Sequence, residues 1–542
     1  MIIDEKLCTG CKICSHRCPL NAIEIINLPE ALNQAPIHRY GENMFELFSL
    51  PSPLFGQVTG ILGKNGIGKS TALKVLAKQI QPNLGDWKTP SDFKEIINHF
   101  KGTEMQGFLE KLHKDEITLS YKPQQVDLIP KQFSGTVKEL LQKVAQENRL
   151  LEIVQQLGLT NFMDTPVANV SGGELQRVAI AATVLKKANL FLFDEPTSYL
   201  DIKQRIKISQ FIRSLADKHT AVMAIEHDLI ILDYMTDLVN IMYGQEGAYG
   251  VVSGLKSTRE GINSFLEGYL REENTRFRGH PIKFDKSAKS AGGVSRPLIS
   301  WTALKKKLGQ FKFEVAESSL NRGEIVGILG ENGIGKTSFV KMLAGVLEPD
   351  SGGIEPKVKV SYKPQYLETS SELMVMVFLQ DAINKFSIPL IRPLEVEKLF
   401  TKKLCELSGG ELQRVSIVKC LSQDAELFLL DEPSAYLDVE QRLLISKVIS
   451  ALAEERGITI LVVDHDLMFL DYLSDRLMVF SGTPAREGKL KGPFAMETGM
   501  NLFLQEVGIT LRRDLNSKRP RINKLGSVKD REQRQENKWY YG

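Results

Sequence analysis

Two stretches of this 542-residue sequence have the residue types and spacing to hold a polyphosphate. Gly63-Lys-Asn-Gly-Ile-Gly-Lys69-Ser70 and Gly330-Glu-Asn-Gly-Ile-Gly-Lys336-Thr337 both read Gly-x4-Gly-Lys-Ser/Thr. In such a loop the glycines let backbone N–H groups wrap phosphate oxygens, and the following helix turns its positive N-terminus to the same anion. Gly63, Asn65, Gly66 and Gly68 are the expected cradle in the first copy, and Gly330, Asn332, Gly333 and Gly335 in the second. Lys69 and Lys336 are expected to reach the β- and γ-phosphates of ATP. Ser70 and Thr337 are expected to ligate Mg²⁺, with Thr71 and Ser338 beside them. The apolar runs Val58-Thr-Gly-Ile-Leu62 and Ile325-Val-Gly-Ile-Leu329 read as the buried strands that deliver these loops.

Other motifs recur in the same order. Leu190-Phe-Leu-Phe193 and Leu427-Phe-Leu-Leu430 are further buried strands, ending at Asp194-Glu195 and Asp431-Glu432. Asp194 and Asp431 are placed to hold Mg²⁺ through water, and Glu195 and Glu432 to orient or deprotonate the attacking water. Phosphoryl transfer needs this positioning and charge stabilisation more than covalent chemistry. Gln124 and Gln365, each ending a Tyr-Lys-Pro-Gln run, would sense Mg²⁺ and the water. His227 and His465 each follow an apolar strand and precede Asp-Leu, where they would hydrogen-bond the γ-phosphate. With Ser171-Gly-Gly-Glu-Leu-Gln-Arg177 and its copy Ser408–Arg414, five motifs repeated in order amount to a duplicated domain. The lysines are 267 residues apart but the glutamines only 241, so the first copy holds about 26 extra residues. The helical spacing of Phe93, Ile96, Ile97 and Phe100, and of Met105, Phe108, Leu109 and Leu112, predicts a helix–loop–helix insert at about 86–118. Its five positive and seven negative residues do not mark it as a nucleic-acid binder.

The repeated Ser171-Gly-Gly-Glu-Leu-Gln-Arg177 and Ser408-Gly-Gly-Glu-Leu-Gln-Arg414 resemble the signature of the ABC ATPase superfamily. In that superfamily the signature of one domain covers the γ-phosphate held by the other. The resemblance implies two composite sites in one chain. Lys69 would pair with Ser408, Gly409 and Gly410, and Lys336 with Ser171, Gly172 and Gly173. Tyr199-Leu-Asp201 and Tyr436-Leu-Asp438 match the loop that crosses this interface. The implied state is a monomer with an intramolecular ABC dimer. Tyr40, Phe45, Phe311 and Phe313 are the aromatics near enough to the loops to compete for stacking on adenine.

Composition bounds the rest. Charged residues are 25% and the hydrophobic set 42%, which are ordinary globular values. Lys+Arg 69 against Asp+Glu 66 leaves +3, and no apolar window approaches the ~18 residues of a spanning helix. The basic charge is concentrated: +6 in the 32 residues from Leu511 to Gly542 and +4 from Arg271 to Arg296. Each segment reads either as a solvated linker or tail, or as a strip that touches an anionic polymer. Cys8-x2-Cys11-x2-Cys14-x3-Cys18-Pro19 is the bacterial ferredoxin run for a 4Fe-4S cluster, and it fits that pattern better than a zinc knuckle. Such a run belongs to a reducing, cytoplasmic compartment. The distant Cys405 and Cys420 read as buried, small apolar residues.

A ferredoxin-like start, two ABC halves and an insert in the first together resemble the ABC subfamily E ATPases, the ribosome-recycling or RNase L inhibitor family. The fold class expected is α/β, with two tandem ABC-type P-loop domains and a small α+β Fe-S domain. The expected domains are 1–33 (4Fe-4S), 34–266 (first ATPase), 267–296 (basic hinge), 297–505 (second ATPase) and 506–542 (basic C-terminal hinge). The resemblance implies ATP-driven closure that splits ribosomes after a release factor or its rescue homologue has acted. The implied partners are the small ribosomal subunit and rRNA, with no membrane. The family carries two clusters, so a further cysteine run is expected ahead of Met1. The other reading is a one-cluster member in which Cys18 is free or completes the site. Motif chemistry alone leaves open a twin ABC ATPase of another translation-factor or DNA-repair type, a transporter-associated ATPase, or a redox protein gated by ATP.

Overall fold

The computed structural model describes residues 35–284, 296–365 and 371–540, except 90, 147 and 148. The expected domain 1–33, with its 4Fe-4S run, lies wholly outside them, as does 285–295 of the basic hinge. The chain forms two compact units. One contains residues up to Pro53, Thr59–Ile117 and Leu238–Lys283. The other contains Leu54–Val58, Thr118–Asp237 and Phe284–Gly542.

In the first unit, Thr59 to Leu62 pair in parallel with Leu238 to Ile241. The strand Leu238–Gln245 then pairs antiparallel with Tyr249–Ser257. Val58–Leu62 is buried at every position, as expected where helices cover both faces of a parallel sheet. It leads through the glycine loop into the helix Lys69–Leu76. The extra residues of the first copy form two helices, Phe93–His99 and Glu104–His113. Asp92 starts the former with a capping box closed by Glu95, and Phe93 stacks on His113 at 4.9 Å. Lys78 Nζ donates to Leu112 O at 2.8 Å and so ties this insert to the turn after the P-loop helix.

The second unit holds three parallel strands of the first half, Leu119–Lys122, Leu190–Asp194 and Ala221–Ile225. It also holds the whole sheet of the second half. There the order is Leu304–Leu308, Phe311–Val315, Glu487–Ala495, Arg476–Thr483, Ile325–Leu329, Thr459–Val463, Leu427–Asp431 and Val360–Lys363. Trp301, Phe313, Ile328, Phe339, Leu429 and Phe480 form part of its core. Phe313, one of the four aromatics that compete for adenine, is 1% exposed there and offers no open face.

Neither basic segment is simply a solvated tether. Before the hinge leaves the described residues, Tyr269–Leu270 and Thr275–Arg276 form a hairpin, and Arg278 lies over Phe265 at 4.8 Å. The carboxy-terminal segment folds as a hairpin, Leu511–Arg513 with Pro520–Ile522, followed by the helix Val528–Gln535. Arg519 has no exposed surface. Arg519 and Arg521 both grip Asp233, at 3.1 and 2.5 Å, on the short helix Leu229–Met235. Arg513 and Tyr540 grip Asp471, at 2.9 and 2.5 Å, on the matching helix Leu467–Leu473 of the second half. Much of the segment's positive charge is thus spent inside the protein, because a buried guanidinium needs a carboxylate. Lys518, Lys524 and Arg531 stay on the surface.

Removing one partner of a buried ion pair costs roughly 3–5 kcal/mol, because the other charge stays buried. Asp233→Asn is therefore expected to lower the unfolding transition in scanning calorimetry. Its effect should exceed that of Asp471→Asn, whose partner Arg513 retains some solvent. Equal and small effects would show that the grip on Asp233 is not stabilising.

Candidate functional site

Both glycine loops enter their helices through a left-handed glycine, Gly68 at φ 87° and Gly335 at φ 103°. A Cβ on Gly68 would lie 2.4 Å from Phe45 Cζ, and one on Gly335 would lie 3.3 Å from the Phe311 ring. Phe45 and Phe311 thus floor the two loops. Tyr40, about half exposed, shares a 3.1 Å hydrogen bond with Thr71. Lys69 and Lys336 are each 7% exposed. Lys69 Nζ donates to Gly63 O and Lys64 O, and Lys336 Nζ to Gly330 O and Glu331 O.

Around the second loop the expected residues converge. Lys336 Nζ is 3.2 Å from His465 Nε2. Thr337 Oγ1 donates to Asp431 Oδ2 at 2.9 Å. Gln365 Nε2 donates to Glu432 Oε1 at 2.7 Å, and His465 Nε2 lies 3.5 Å from the same oxygen. Burial raises the Asp431 and Glu432 carboxyls and lowers the Lys336 ammonium to about 8. The adjacent hydroxyl and carboxylate of Thr337 and Asp431 are hard oxygen donors of the kind Mg²⁺ takes.

The first-half counterparts in the same unit repeat this pattern. Gln124 Nε2 donates to Glu195 Oε1 at 2.7 Å, and His227 Nε2 lies 3.1 Å from that oxygen. Tyr121 OH donates to Asp194 Oδ2 at 3.3 Å. The copies differ beside the glutamate. Ser198 Oγ donates to Glu195 Oε2 at 3.0 Å, whereas the matching position of the second half is Ala435, which has no side-chain donor. The two glutamates therefore have unequal surroundings.

Each signature serine is a helix N-cap. Ser171 starts the helix Gly172–Val184 and Ser408 the helix Gly409–Leu421, each with a capping box closed by Glu174 or Glu411. The sequence reading did not assign those glutamates, although Ser-x-x-Glu before an apolar run is a capping signal. The second glycine of each signature leaves room for its own half's crossing loop. A Cβ on Gly173 would lie 3.1 Å from Tyr199 O, and one on Gly410 would lie 3.0 Å from Tyr436 O.

The loop after Glu195 meets the P-loop of the second half. Asn332 N donates to Asp201 Oδ2 at 3.1 Å, and Asn332 Nδ2 to Tyr199 O at 3.3 Å. Lys203 Nζ reaches Glu331 Oε1 at 2.8 Å. Tyr199 and Tyr436 meet edge to face, with centroids 6.5 Å apart. Tyr199 O thus touches both the Gly173 of one half and the Asn332 of the other.

Comparisons with known proteins identify the family. The ABC transporter family model matches residues 54–198 and 313–435, and the 4Fe-4S binding domain model matches 1–24. An uncharacterized ABC transporter ATP-binding protein of Methanocaldococcus jannaschii is 49% identical, over 100% of this chain and 90% of its own. ABC transporter E family member 1 of Arabidopsis thaliana is 44% identical, over 99% and 91%. The chain belongs to the ABC subfamily E ATPases. The solved structure described as ribosome-bound archaeal Pelota and ABCE1 contains a chain that superposes with a TM-score of 0.89 at 49% identity, over 100% of this chain and 92% of that one. The protein is accordingly an ABC-type ATPase that binds ATP and carries a 4Fe-4S motif. Cys8, Cys11, Cys14 and Cys18 lie outside the described residues, so the structure does not test them as ligands. Of the two remaining thiols, Cys420 is buried against Ser361 as expected. Cys405 is exposed, contrary to expectation, because its turn buries Leu404 instead. No helix among the described residues is long and apolar enough to cross a membrane.

Burial, reinforced by the positive charges of Lys336 and Arg205, holds the His465 imidazole well below the usual histidine range. The unfolded chain takes up that proton near pH ~6.5 and the folded one does not, so this residue makes stability fall as pH drops through that range. His465→Gln should therefore flatten the loss of melting temperature between about pH 7.5 and 5.5 relative to the parent chain. An unchanged slope would mean that His465 is not held neutral.

Proposed function

We propose that the chain is a cytoplasmic ribosome-recycling factor, in which ATP-driven closure of two ABC halves splits ribosomes into subunits after termination or rescue. The observation that carries this reading is the full-length likeness to the ABCE1 chain bound with Pelota on the ribosome. The small subunit, its RNA and a release factor or rescue homologue are the proposed partners.

The chemistry follows from the residues. Backbone N–H groups of Gly63–Ser70 and Gly330–Thr337 would bind the β- and γ-phosphates, with Lys69 and Lys336 balancing their charge. Ser70, Gln124 and Asp194, and Thr337, Gln365 and Asp431, would hold Mg²⁺, which neutralises phosphate charge when bound. Glu195 and Glu432 would accept the proton of the water that attacks the γ-phosphorus, giving ADP and phosphate. His227 and His465 would orient the γ-phosphate. Ser171-Gly-Gly and Ser408-Gly-Gly would cover the nucleotide of the opposite half, so each pocket is complete only on closure. The contacts of Asn332 with Asp201 and Tyr199 support such a shared site, because they put a P-loop residue of one half on the crossing loop of the other.

Mixed with whole ribosomes, a release factor or its rescue homologue, and ATP, the protein is expected to convert whole ribosomes to subunits in a sucrose gradient. Combining Glu195→Gln with Glu432→Gln should lower hydrolysis by about 10²-fold or more while ATP still binds. That variant should stay trapped on the small subunit. Normal turnover and release would refute the glutamate assignment, and intact ribosomes with the parent chain would refute the recycling reading.

A further inference from the structure

Each Tyr-Lys-Pro-Gln run contains a lysine that the mechanism above does not use. Lys122 and Lys363 are 0% and 1% exposed. A lysine so deep needs acceptors for its ammonium. Here the acceptors are backbone carbonyls, and they are equivalent in both halves. Lys122 Nζ donates to Asp194 O at 2.9 Å and Glu195 O at 3.1 Å. Lys363 Nζ donates to Asp431 O at 2.8 Å and reaches Glu432 O at 3.5 Å, with Pro364 O at 3.1 Å.

The glutamate carbonyl has a second donor. Gln176 Nε2 donates to Glu195 O at 2.6 Å, and Gln413 Nε2 to Glu432 O at 2.6 Å. Both glutamines are buried, and both sit in the signature runs, on the helices that Ser171 and Ser408 cap.

These glutamates need holding. Glu195 and Glu432 have φ of 47° and 48°, in the left-handed region that is strained for a residue bearing a side chain. Each also precedes a proline, Pro196 or Pro433, which crowds helical conformations of the residue before it. Such strain persists only where the surroundings over-determine the backbone.

We propose that Lys122 with Gln176, and Lys363 with Gln413, are positioning residues that clamp the glutamate–proline peptide and so aim the carboxylate at the attacking water. The clamp also makes each glutamate and the signature helix of its own half one rigid piece. The inference rests on the reading of Glu195 and Glu432 given under Proposed function. If the signature covers the opposite half's nucleotide, the clamp carries the seating of one pocket to the glutamate of the other.

The test uses the full chain with Lys122→Met plus Lys363→Met, and separately Gln176→Met plus Gln413→Met. ATP turnover, affinity for a non-hydrolysable ATP analogue and melting temperature are measured for each. Turnover is expected to fall about tenfold or more while analogue affinity stays within about twofold, the split expected of an interaction used in the transition state. Adding the lysine changes to Glu195→Gln plus Glu432→Gln should cost little more, because residues acting through one group are not additive. Unchanged turnover, affinity lost in step with turnover, or an undiminished lysine effect without the glutamates would each overturn the clamp. So would failure of both sets of variants to fold, which would make these residues structural only. If Glu→Gln alone leaves hydrolysis intact, the glutamate assignment itself fails. An effective Glu→Gln beside a silent Lys→Met defeats the clamp alone.

Discussion

Asp201 has two carboxylate oxygens and uses them on both halves of the chain. Oδ1 accepts from Gln204 N and caps the helix Ile202–Ser214 of the first half. Oδ2 accepts from Asn332 N in the P-loop of the second. A cap is worth about 1 kcal/mol to its own helix. A helix start that also binds the neighbouring P-loop makes the placement of that loop depend on the other half. The carbonyl of Tyr199 extends the link, since it accepts from Asn332 and lies against Gly173 of the signature. Two hydrogen bonds and one glycine contact thus connect a signature, a crossing loop and a phosphate loop across the internal repeat.

The carboxy-terminal segment acts on the same elements from another side. Asp233 and Asp471 each lie six residues after the histidine of their half. One short module grips both, through Arg519 and Arg521 on one aspartate and Arg513 and Tyr540 on the other. The histidine-bearing segments of both halves are thereby referred to a single support. Exact symmetry does not follow, because the Ser198 hydroxyl donates to the Glu195 carboxylate while Ala435 has no side-chain donor for that of Glu432. A duplicated sequence can therefore carry two chemically distinct pockets.

The repeated motifs made the strands, the phosphate loops and the order of the site residues legible from sequence. Short-range rules govern all of them: glycine where φ is positive, apolar runs where both faces of a sheet are covered, serine where a helix begins. The missing information was long-range. Arg519 stands 286 residues from Asp233 in sequence, and no local pattern announces that pairing. A count of charge reads Arg513, Arg519 and Arg521 as a basic strip, whereas folding neutralises them. Lys122 and Lys363 stood inside a repeated motif, yet only the fold shows which carbonyls they hold. Phe313 is one of four aromatics that the sequence leaves competing for adenine, and only its strand places it in the core.

The central proposal is that each pocket takes its lid from the opposite half, and pairing variants across the repeat tests it most directly. Under that proposal, Lys336→Ala combined with Ser171→Arg would damage both sides of one pocket and spare Lys69 and Ser408. Lys336→Ala combined with Ser408→Arg would damage one side of each. Steady-state ATP turnover is predicted to survive at a single-site level in the first combination and to be abolished in the second. The reverse order, with turnover surviving when both changes lie in the same half, would contradict the account.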